Sequence, residues 1–271
     1  MMHKIQEVAP YLTPHDWVRL SLDAGSNETF EAMHKPKKDS ITLDSICEGV
    51  PPVKKINPHF PIGYSYIIVW KDCRANDAHI VENMNEIVLA AARAKKYQFN
   101  YISYKPFLTR AESNNAEIVG LTTQEYHLDA VLDHIERQIE LARQLEDDTF
   151  RILESTNLKV LQAGTHSDYT NQPQQCHMTF FRQVLSPLGL FNCPVYRYVP
   201  QAKIGDKHDY ATPESILGTQ RRTLKTITSF DAHSECKSVT CLYNHANWFI
   251  EDLIAHPDKL DALEPSQQRN D

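Results

Sequence analysis

The sequence lacks an excess of basic residues. Its 271 residues contain 28 Lys and Arg against 35 Asp and Glu, so the formal net charge is −7 and the isoelectric point is near 6.0. Proteins that bind DNA or RNA rely largely on basic side chains that neutralise phosphates, and this chain has no basic stripe. We therefore expect no nucleic-acid partner.

Long apolar segments are also missing. The N-terminal residues 1–10 lack the apolar core of a signal peptide, and no uninterrupted apolar run approaches the roughly eighteen residues that span a bilayer. We expect a cytoplasmic protein with no membrane partner. Thiols stay reduced in that compartment, so clustered cysteines there more often bind metal than form disulfides.

The remaining composition is that of an ordinary globular protein, with 41% hydrophobic and 23% charged residues. The length allows one large domain or two small ones. Apolar runs typical of buried parallel strands alternate with segments of helical spacing. The predicted strands are 17–22, 64–70 and 99–104, and the predicted helices are 2–12, 43–50 and 79–97. This order predicts an α/β fold with a parallel sheet and right-handed crossovers.

A long amphipathic helix is predicted after the last of these strands. Residues 122–125 have the pattern of a capping box, and an apolar stripe follows from Leu128 to Leu145. The acidic residues 146–148 are interpreted as a solvated face. The polar, turn-rich segment 165–175 is predicted to link this part of the chain to a cysteine-rich part.

Four of the six cysteines follow this linker: Cys176, Cys193, Cys236 and Cys241. A predicted strand at 178–185, a break at 186–189 and a second short strand carrying Cys193 form a hairpin that would bring the first two together. If folding joins them to the later pair, the result is a four-thiolate site, which suits zinc or an iron–sulfur cluster. The alternatives are cysteines that only fill the core, or disulfides, which need an oxidising compartment.

Together these features resemble the C-terminal two thirds of a radical SAM enzyme. The segment Arg19-Leu-Ser-Leu-Asp-Ala-Gly25 is similar to the fourth barrel strand of that superfamily, and 64–70 and 99–106 are similar to the fifth and sixth. The cysteine region, with Gly189 just before Cys193 and the turn 204–206, resembles the SPASM or shorter twitch extension, which carries an auxiliary iron–sulfur cluster. The resemblance covers most of residues 2 to about 250.

The resemblance implies a partial (βα) TIM-type barrel, about its last three strand–helix units, followed by a small α+β cysteine-rich domain that binds the cluster. The expected domains are 1–120 for the partial barrel, 121–165 for a connecting helix and linker, 166–250 for the iron–sulfur domain and 251–271 for a helix end and polar tail.

The sequence departs from the family pattern in its cysteines. The defining Cys-x3-Cys-x2-Cys loop is absent, and Cys47 and Cys73, which have no third neighbour, are interpreted as core cysteines. The cysteine region has fewer cysteines than a full SPASM module, which implies the single-cluster version, and its last pair is spaced Cys-x4-Cys where Cys-x2-Cys is usual. We expect a truncated, split or degenerate copy, inactive alone in S-adenosylmethionine cleavage, whose partner is an upstream chain or segment with the loop.

The resemblance also implies roles for individual residues. Ser21 and Asp23 would hydrogen-bond the ribose or the amino-acid end of S-adenosylmethionine; the alternative is a serine at a strand end and a helix-capping aspartate. Lys105 could face a carboxylate, or be a solvated lysine. Cys176, Cys193, Cys236 and Cys241 would hold an auxiliary [4Fe–4S] cluster.

The function implied is radical hydrogen abstraction that oxidises or modifies a peptide or a small molecule, and the sequence does not choose between these substrates. The first alternative is a non-catalytic protein that binds zinc or an iron–sulfur cluster, with His245 available near Cys236 and Cys241. The second is a degenerate remnant that works only with a partner chain.

Overall fold

The computed structural model of the chain describes residues 2–71, 73–75, 78–110, 117–119, 128–197, 199–237 and 239–262. These residues fall into two compact units. The first comprises Met1–Thr109 and Val119–Ala163, and the second comprises Arg110–Ile118 and Gly164–Asp271. The linker predicted at 165–175 therefore lies in the second unit.

Among the residues that the structure describes, eight strands precede residue 163. They are β1 (Val18–Ser21), β2 (Ile62–Ile68), β3 (Arg74–Ala75), β4 (Ala78–His79), β5 (Tyr101–Pro106), β6 (Leu108–Arg110), β7 (Glu117–Val119) and β8 (Arg151–Glu154). Four of them form one sheet in the order β1-β2-β5-β8, with every neighbouring pair parallel. The other four pair as the short sheets β3–β4 and β6–β7. The predicted α/β fold with a parallel sheet is confirmed.

Helices precede, connect and follow the four strands of the parallel sheet. They are α1 (Met2–Val8), α2 (Asn27–His34), α3 (Leu43–Cys47), α4 (Val50–Ile56), α5 (Ile87–Lys96), α6 (Leu128–Arg143) and α7 (Thr156–Gln162), with short 3₁₀ turns at Ala9–Tyr11 and Met84–Glu86. The capping box predicted at 122–125 lies outside the described residues. The helix predicted at 79–97 begins later, at Ile87, because the buried Asn83 bonds to the backbone of β2 and the residues just after it.

The two faces of the parallel sheet differ in character. One face carries the large apolar side chains of alternate residues, among them Tyr64, Tyr66, Ile102 and Tyr104, all fully buried. The hydroxyl groups of Tyr66 and Tyr104 donate to the backbone carbonyls of Asn83 and Ile87, at 2.7 Å each, so the buried rings leave no polar group unpaired. The other face, built from residues one position away along each strand, is more polar and carries Ser21, Ser65, Ser103 and Lys105.

The second unit is smaller and built around short antiparallel strands. Its elements are α8 (Met178–Phe181), β9 (Val184–Ser186), β10 (Gly189–Phe191), β11 (Lys203–Gly205), α9 (Pro213–Ser229), α10 (Ala232–Glu235) and α11 (Asn244–Ala255), with 3₁₀ turns at His166–Tyr169, Pro200–Ala202 and Pro257–Ala262. The strand order is β11-β10-β9.

The predicted hairpin exists, but it is shorter than the sequence suggested. Strands β9 and β10 pair around residues 186–189, where Gly189 has φ +136°. The strand predicted to begin at Met178 is wrong, since Met178–Phe181 forms a helical turn. Cys193 lies two residues beyond β10 and not on a strand. Among the described residues no helix is long and apolar enough to cross a membrane.

Candidate functional site: four cysteines and a strand end

The four cysteines after residue 175 pack against one small hydrophobic core in the second unit. That core contains Phe191, Tyr196, Val199, Ala202, Phe230, Ala232 and Val239. Cys176, Cys193, Cys236 and Cys241 are each partly buried against it, and none forms a disulfide. By contrast, Cys47 and Cys73 are fully buried in the core of the first unit, as predicted.

Each cysteine stands at the end of an element, where the backbone turns. Cys176 precedes α8 and Cys193 follows β10, so the α8–hairpin segment separates them. Cys236 is the C-cap of α10. A turn in which the amide of Val239 donates to the carbonyl of Cys236 (2.8 Å) leads from it towards Cys241.

Backbone N–H groups favour the thiolate form of two of the four cysteines. Those of Val195 and Tyr196 lower the pKa of Cys193, and that of Tyr243 lowers the pKa of Cys241. Such donors stabilise a thiolate more than a thiol, because the charged sulfur is the stronger acceptor.

The thiols also influence one another electrostatically. Burial raises the pKa of Cys193, Cys236 and Cys241, that of Cys241 to about 11, and the negative charges of the neighbouring cysteines raise them further. Arg182 opposes this: its guanidinium group lowers the pKa of Cys193 and Cys241. A bound cation would remove the repulsion between the cysteines, since metals bind cysteine as the thiolate.

Three histidines of the second unit have partners other than the cysteines. His177 Nε2 lies 2.8 Å from Glu251 Oε1, His233 Nδ1 lies 3.0 Å from the carbonyl of Gln172, and the His245 ring packs on Tyr169. Within the described part of the chain, no group of three or more His, Cys, Asp or Glu side chains is arranged to hold a metal ion.

The second candidate site lies in the first unit, at the C-terminal end of β1. Ser21 Oγ donates to Asp23 Oδ2 (3.0 Å), and the amide of Ile67 on β2 donates to Asp23 Oδ1 (2.8 Å). Asp23 is buried and has φ +50°, an uncommon conformation for a residue other than glycine. The helix-capping alternative for Asp23 is wrong, because the N-cap of α2 is Ser26.

Burial raises the pKa of Asp23, and this effect outweighs the opposing ones. The bonds from Ile67 and Ser21 lower it, as do the positive charges of His34 and Lys105. His34 Nε2 lies 3.8 Å from the carboxylate and 2.9 Å from the carbonyl of Leu22. Asp23 is therefore a buried carboxyl group whose two oxygens are already engaged by the protein, while its position at a strand end faces the usual ligand side of a parallel sheet.

No family model, curated protein or solved structure matches this chain. The radical SAM resemblance therefore depends on the sequence motifs alone, and the structure adds the geometry of the four cysteines and of the strand end at Asp23.

Sequence reasoning missed two residues that support Asp23. The side-chain amide of Asn83 donates to the carbonyls of Asp23 (2.7 Å) and Ile67 (2.8 Å). Glu86 accepts four hydrogen bonds from the segment that follows Asp23. The donors are the backbone amides of Gly25 and Ser26 and the hydroxyl groups of Ser26 and Thr29. The sequence did offer one signal: the polar residues Asn83 and Glu86 lie inside the segment 79–97, which was predicted to be helical and follows the buried strand 64–70.

Proposed function

We propose that this chain is the C-terminal part of a radical SAM enzyme and that Cys176, Cys193, Cys236 and Cys241 hold an auxiliary [4Fe–4S] cluster. The observation that carries the proposal is that these four cysteines, and neither of the other two, pack against one small core. Four thiolates are the ligand set that such a cluster requires.

The surroundings of the thiols fit such a group. The backbone N–H groups of Val195, Tyr196 and Tyr243 and the guanidinium group of Arg182 lower the pKa of Cys193 or Cys241 and so favour thiolates in a ligand set that would carry several negative charges. Hydrogen bonds to sulfur and partial burial are the features by which proteins tune a cluster's reduction potential. When bound, the cluster would supply one-electron transfer in the oxidation of a substrate radical.

The strand order supports the barrel part of the proposal. In the four-stranded sheet of the first unit, the strands lie side by side in the order in which they occur in the sequence. All neighbouring strands are parallel, as in a (βα) barrel. A polar face opposite the helix-covered one suits the inside of an incomplete barrel. Ser21 and Asp23 then lie at the C-terminal ends of the strands, where barrel enzymes bind ligands, and would meet S-adenosylmethionine or the substrate, a peptide or a small molecule.

Anaerobic reconstitution with iron and sulfide tests this proposal. We expect about four irons and four sulfides per chain, the content of one [4Fe–4S] cluster, together with broad visible absorption. Replacing any of Cys176, Cys193, Cys236 or Cys241 by Ala should lower the iron and sulfide content and the visible absorption. Cys47→Ala and Cys73→Ala are matched controls, because these thiols lie in the core of the other unit.

The same measurement decides for or against the alternative. Stoichiometric zinc with no visible absorption would overturn the iron–sulfur proposal in favour of a zinc-binding protein with no redox chemistry. Cluster loss on replacing Cys47 or Cys73 would overturn the ligand assignment.

A further inference from the structure

The polar face of the parallel sheet carries a row of serines. Ser21 on β1 pairs in register with Ser65 on β2, which pairs with Ser103 on β5. Residues paired across parallel strands point to the same face, so three hydroxyl groups lie side by side near the C-terminal ends of the strands. Ser65 and Ser103 are buried, whereas Ser21 on the edge strand is exposed.

Lys105 lies on the same face, two residues beyond Ser103. Its ammonium group donates to Ser65 Oγ at 3.1 Å, and the residue is half-buried. An ammonium group can donate three hydrogen bonds. The bond to Ser65 holds it over the sheet and leaves donors for a further acceptor.

Positive charge exceeds negative charge on this face. Arg19, two residues before Ser21, lies close enough to lower the pKa of Lys105, which burial also lowers. Asp23 is the nearby carboxylate, and both of its oxygens already accept hydrogen bonds from Ser21 and Ile67. Within the residues that the structure describes, neither Arg19 nor Lys105 has a carboxylate within ion-pairing distance. Lys105 is thus a half-buried cation without a carboxylate partner, and Arg19 is an exposed one whose guanidinium group lies 5.1 Å from the centre of the Trp17 ring.

We propose that Lys105, Arg19 and the hydroxyl groups of Ser65 and Ser103 form a binding site for an oxyanion, the carboxylate or phosphate group of a ligand that lies on the polar face of the sheet. This site is separate from the four cysteines and does not depend on a cluster. It also extends beyond Ser21 and Asp23, to which the family resemblance assigns S-adenosylmethionine. A lysine ammonium beside hydroxyl donors suits either kind of oxyanion.

Labelling of the purified wild-type chain with pyridoxal 5′-phosphate tests the proposal. This anionic aldehyde condenses with a neutral lysine amine to an imine and water, and borohydride reduces the imine to a stable amine that mass spectrometry locates. We expect strong labelling at Lys105, reduced several-fold by millimolar N-acetylglycinate or inorganic phosphate. The anion that protects at the lower concentration identifies the ligand group.

Lys54 is the matched control lysine. Burial lowers its pKa as well, but its ammonium group is bonded to the carbonyl of Phe60 and the side chain of Asn100, without a second cation. Its labelling should not respond to either anion. Equal labelling of Lys54 and Lys105 with no protection by the anions would overturn the proposal, and this comparison requires no variant.

Variants provide a second readout. Arg19→Met should weaken protection of Lys105 by about tenfold, the scale of one lost hydrogen bond to a charged group. Arg151→Met is the control, because Arg151 lies in the same register row on β8 yet does not contribute to the pKa shift of Lys105. An equal loss of protection in both variants would show general attraction of anions and contradict a defined site.

Discussion

Glu86 organises the loop between β1 and α2 with a single carboxylate. Burial raises its pKa, but the bonds from Ser26, Gly25 and Thr29 outweigh this, so the net effect is a lowered pKa. A carboxyl group with a lowered folded-state pKa stabilises the native state above its unfolded pKa, near 4.3, and loses that contribution as the pH falls through the folded value.

Glu86→Gln should therefore destabilise the chain in a pH-dependent way. At pH 7 we expect a loss of about 1–3 kcal/mol, because an amide presents one acceptor oxygen and leaves loop donors unpaired. As the pH falls from the unfolded pKa through the lowered folded-state pKa of Glu86, wild type and variant should converge, since protonated Glu resembles Gln. Urea unfolding across this pH range measures the difference. Glu82→Gln, at an exposed position nearby, is the control; a pH-independent loss in Glu86→Gln would contradict the role given to its charge.

At the residue scale, the sequence could identify which cysteines matter but not their contacts. The spacing of Cys176, Cys193, Cys236 and Cys241 predicted one cluster of thiols, and they do pack against one core. The amide donors at 195, 196 and 243 could not be predicted, because they depend on backbone conformation after each cysteine. The support of Asp23 by Asn83, 60 residues away in sequence, is likewise a product of tertiary structure.

At the scale of elements, the close packing of β2 against β5 on the polar face of the sheet requires a glycine at position 63. Gly63 lies between Arg19 and Tyr101 in the register of β1, β2 and β5. A Cβ atom on Gly63 would run into the ring of Tyr101. The ring therefore occupies the space that a side chain on β2 would fill, and β2 and β5 pack closely there.

Gly63→Ala should destabilise the chain by about 1–3 kcal/mol, the usual cost of overpacking. In a Tyr101→Ser background the same substitution should cost less, because the ring is gone, and a double-mutant cycle of unfolding free energies measures the coupling. Gly218→Ala in α9 is the control. Its new Cβ would come no closer than 3.4 Å to the flexible Arg222 side chain, so we expect no loss. Additive effects of the Gly63 and Tyr101 substitutions would refute the packing argument.

The sequence predicted the elements with strong apolar patterns and missed the weaker ones. The strands β1, β2 and β5 were predicted because buried parallel strands are nearly continuous apolar runs. β8 was missed: it is an edge strand with exposed Arg151 and Leu153, so only part of it is apolar. Helix α7 follows it and was missed as well. The helical turn Met178–Phe181 was mistaken for a strand because three of its four residues are large and apolar.

At the scale of the whole molecule, the two units differ in what supports them. The first has a large core of aromatic and aliphatic side chains, whereas the core of the second that contacts the cysteines contains seven buried residues. Small cores often need a metal or disulfides for stability. Cluster binding should therefore matter most for the second unit.

Hydrogen–deuterium exchange before and after reconstitution measures this. We expect exchange of the amides at 170–176, 193–197, 236–237 and 239–243 to slow by about tenfold or more, since each 1.4 kcal/mol of binding free energy lowers the population of the open state tenfold. Exchange in β2 should not change. Cys236→Ala, treated identically, should show no slowing. Equal slowing along the entire chain would indicate a general effect of the reconstitution and not a site among the cysteines.

The outer strands of the parallel sheet, β1 and β8, each span four residues, and each places an arginine, Arg19 or Arg151, on the polar face. A long, flat apolar edge can recruit a strand from another molecule, whereas a short edge with charged side chains is a poor template for such pairing. The arginines that make this face cationic thus also protect the sheet against edge-to-edge aggregation. Removing the charges of Arg19 and Arg151 should therefore make the protein more prone to aggregate and should also weaken anion binding.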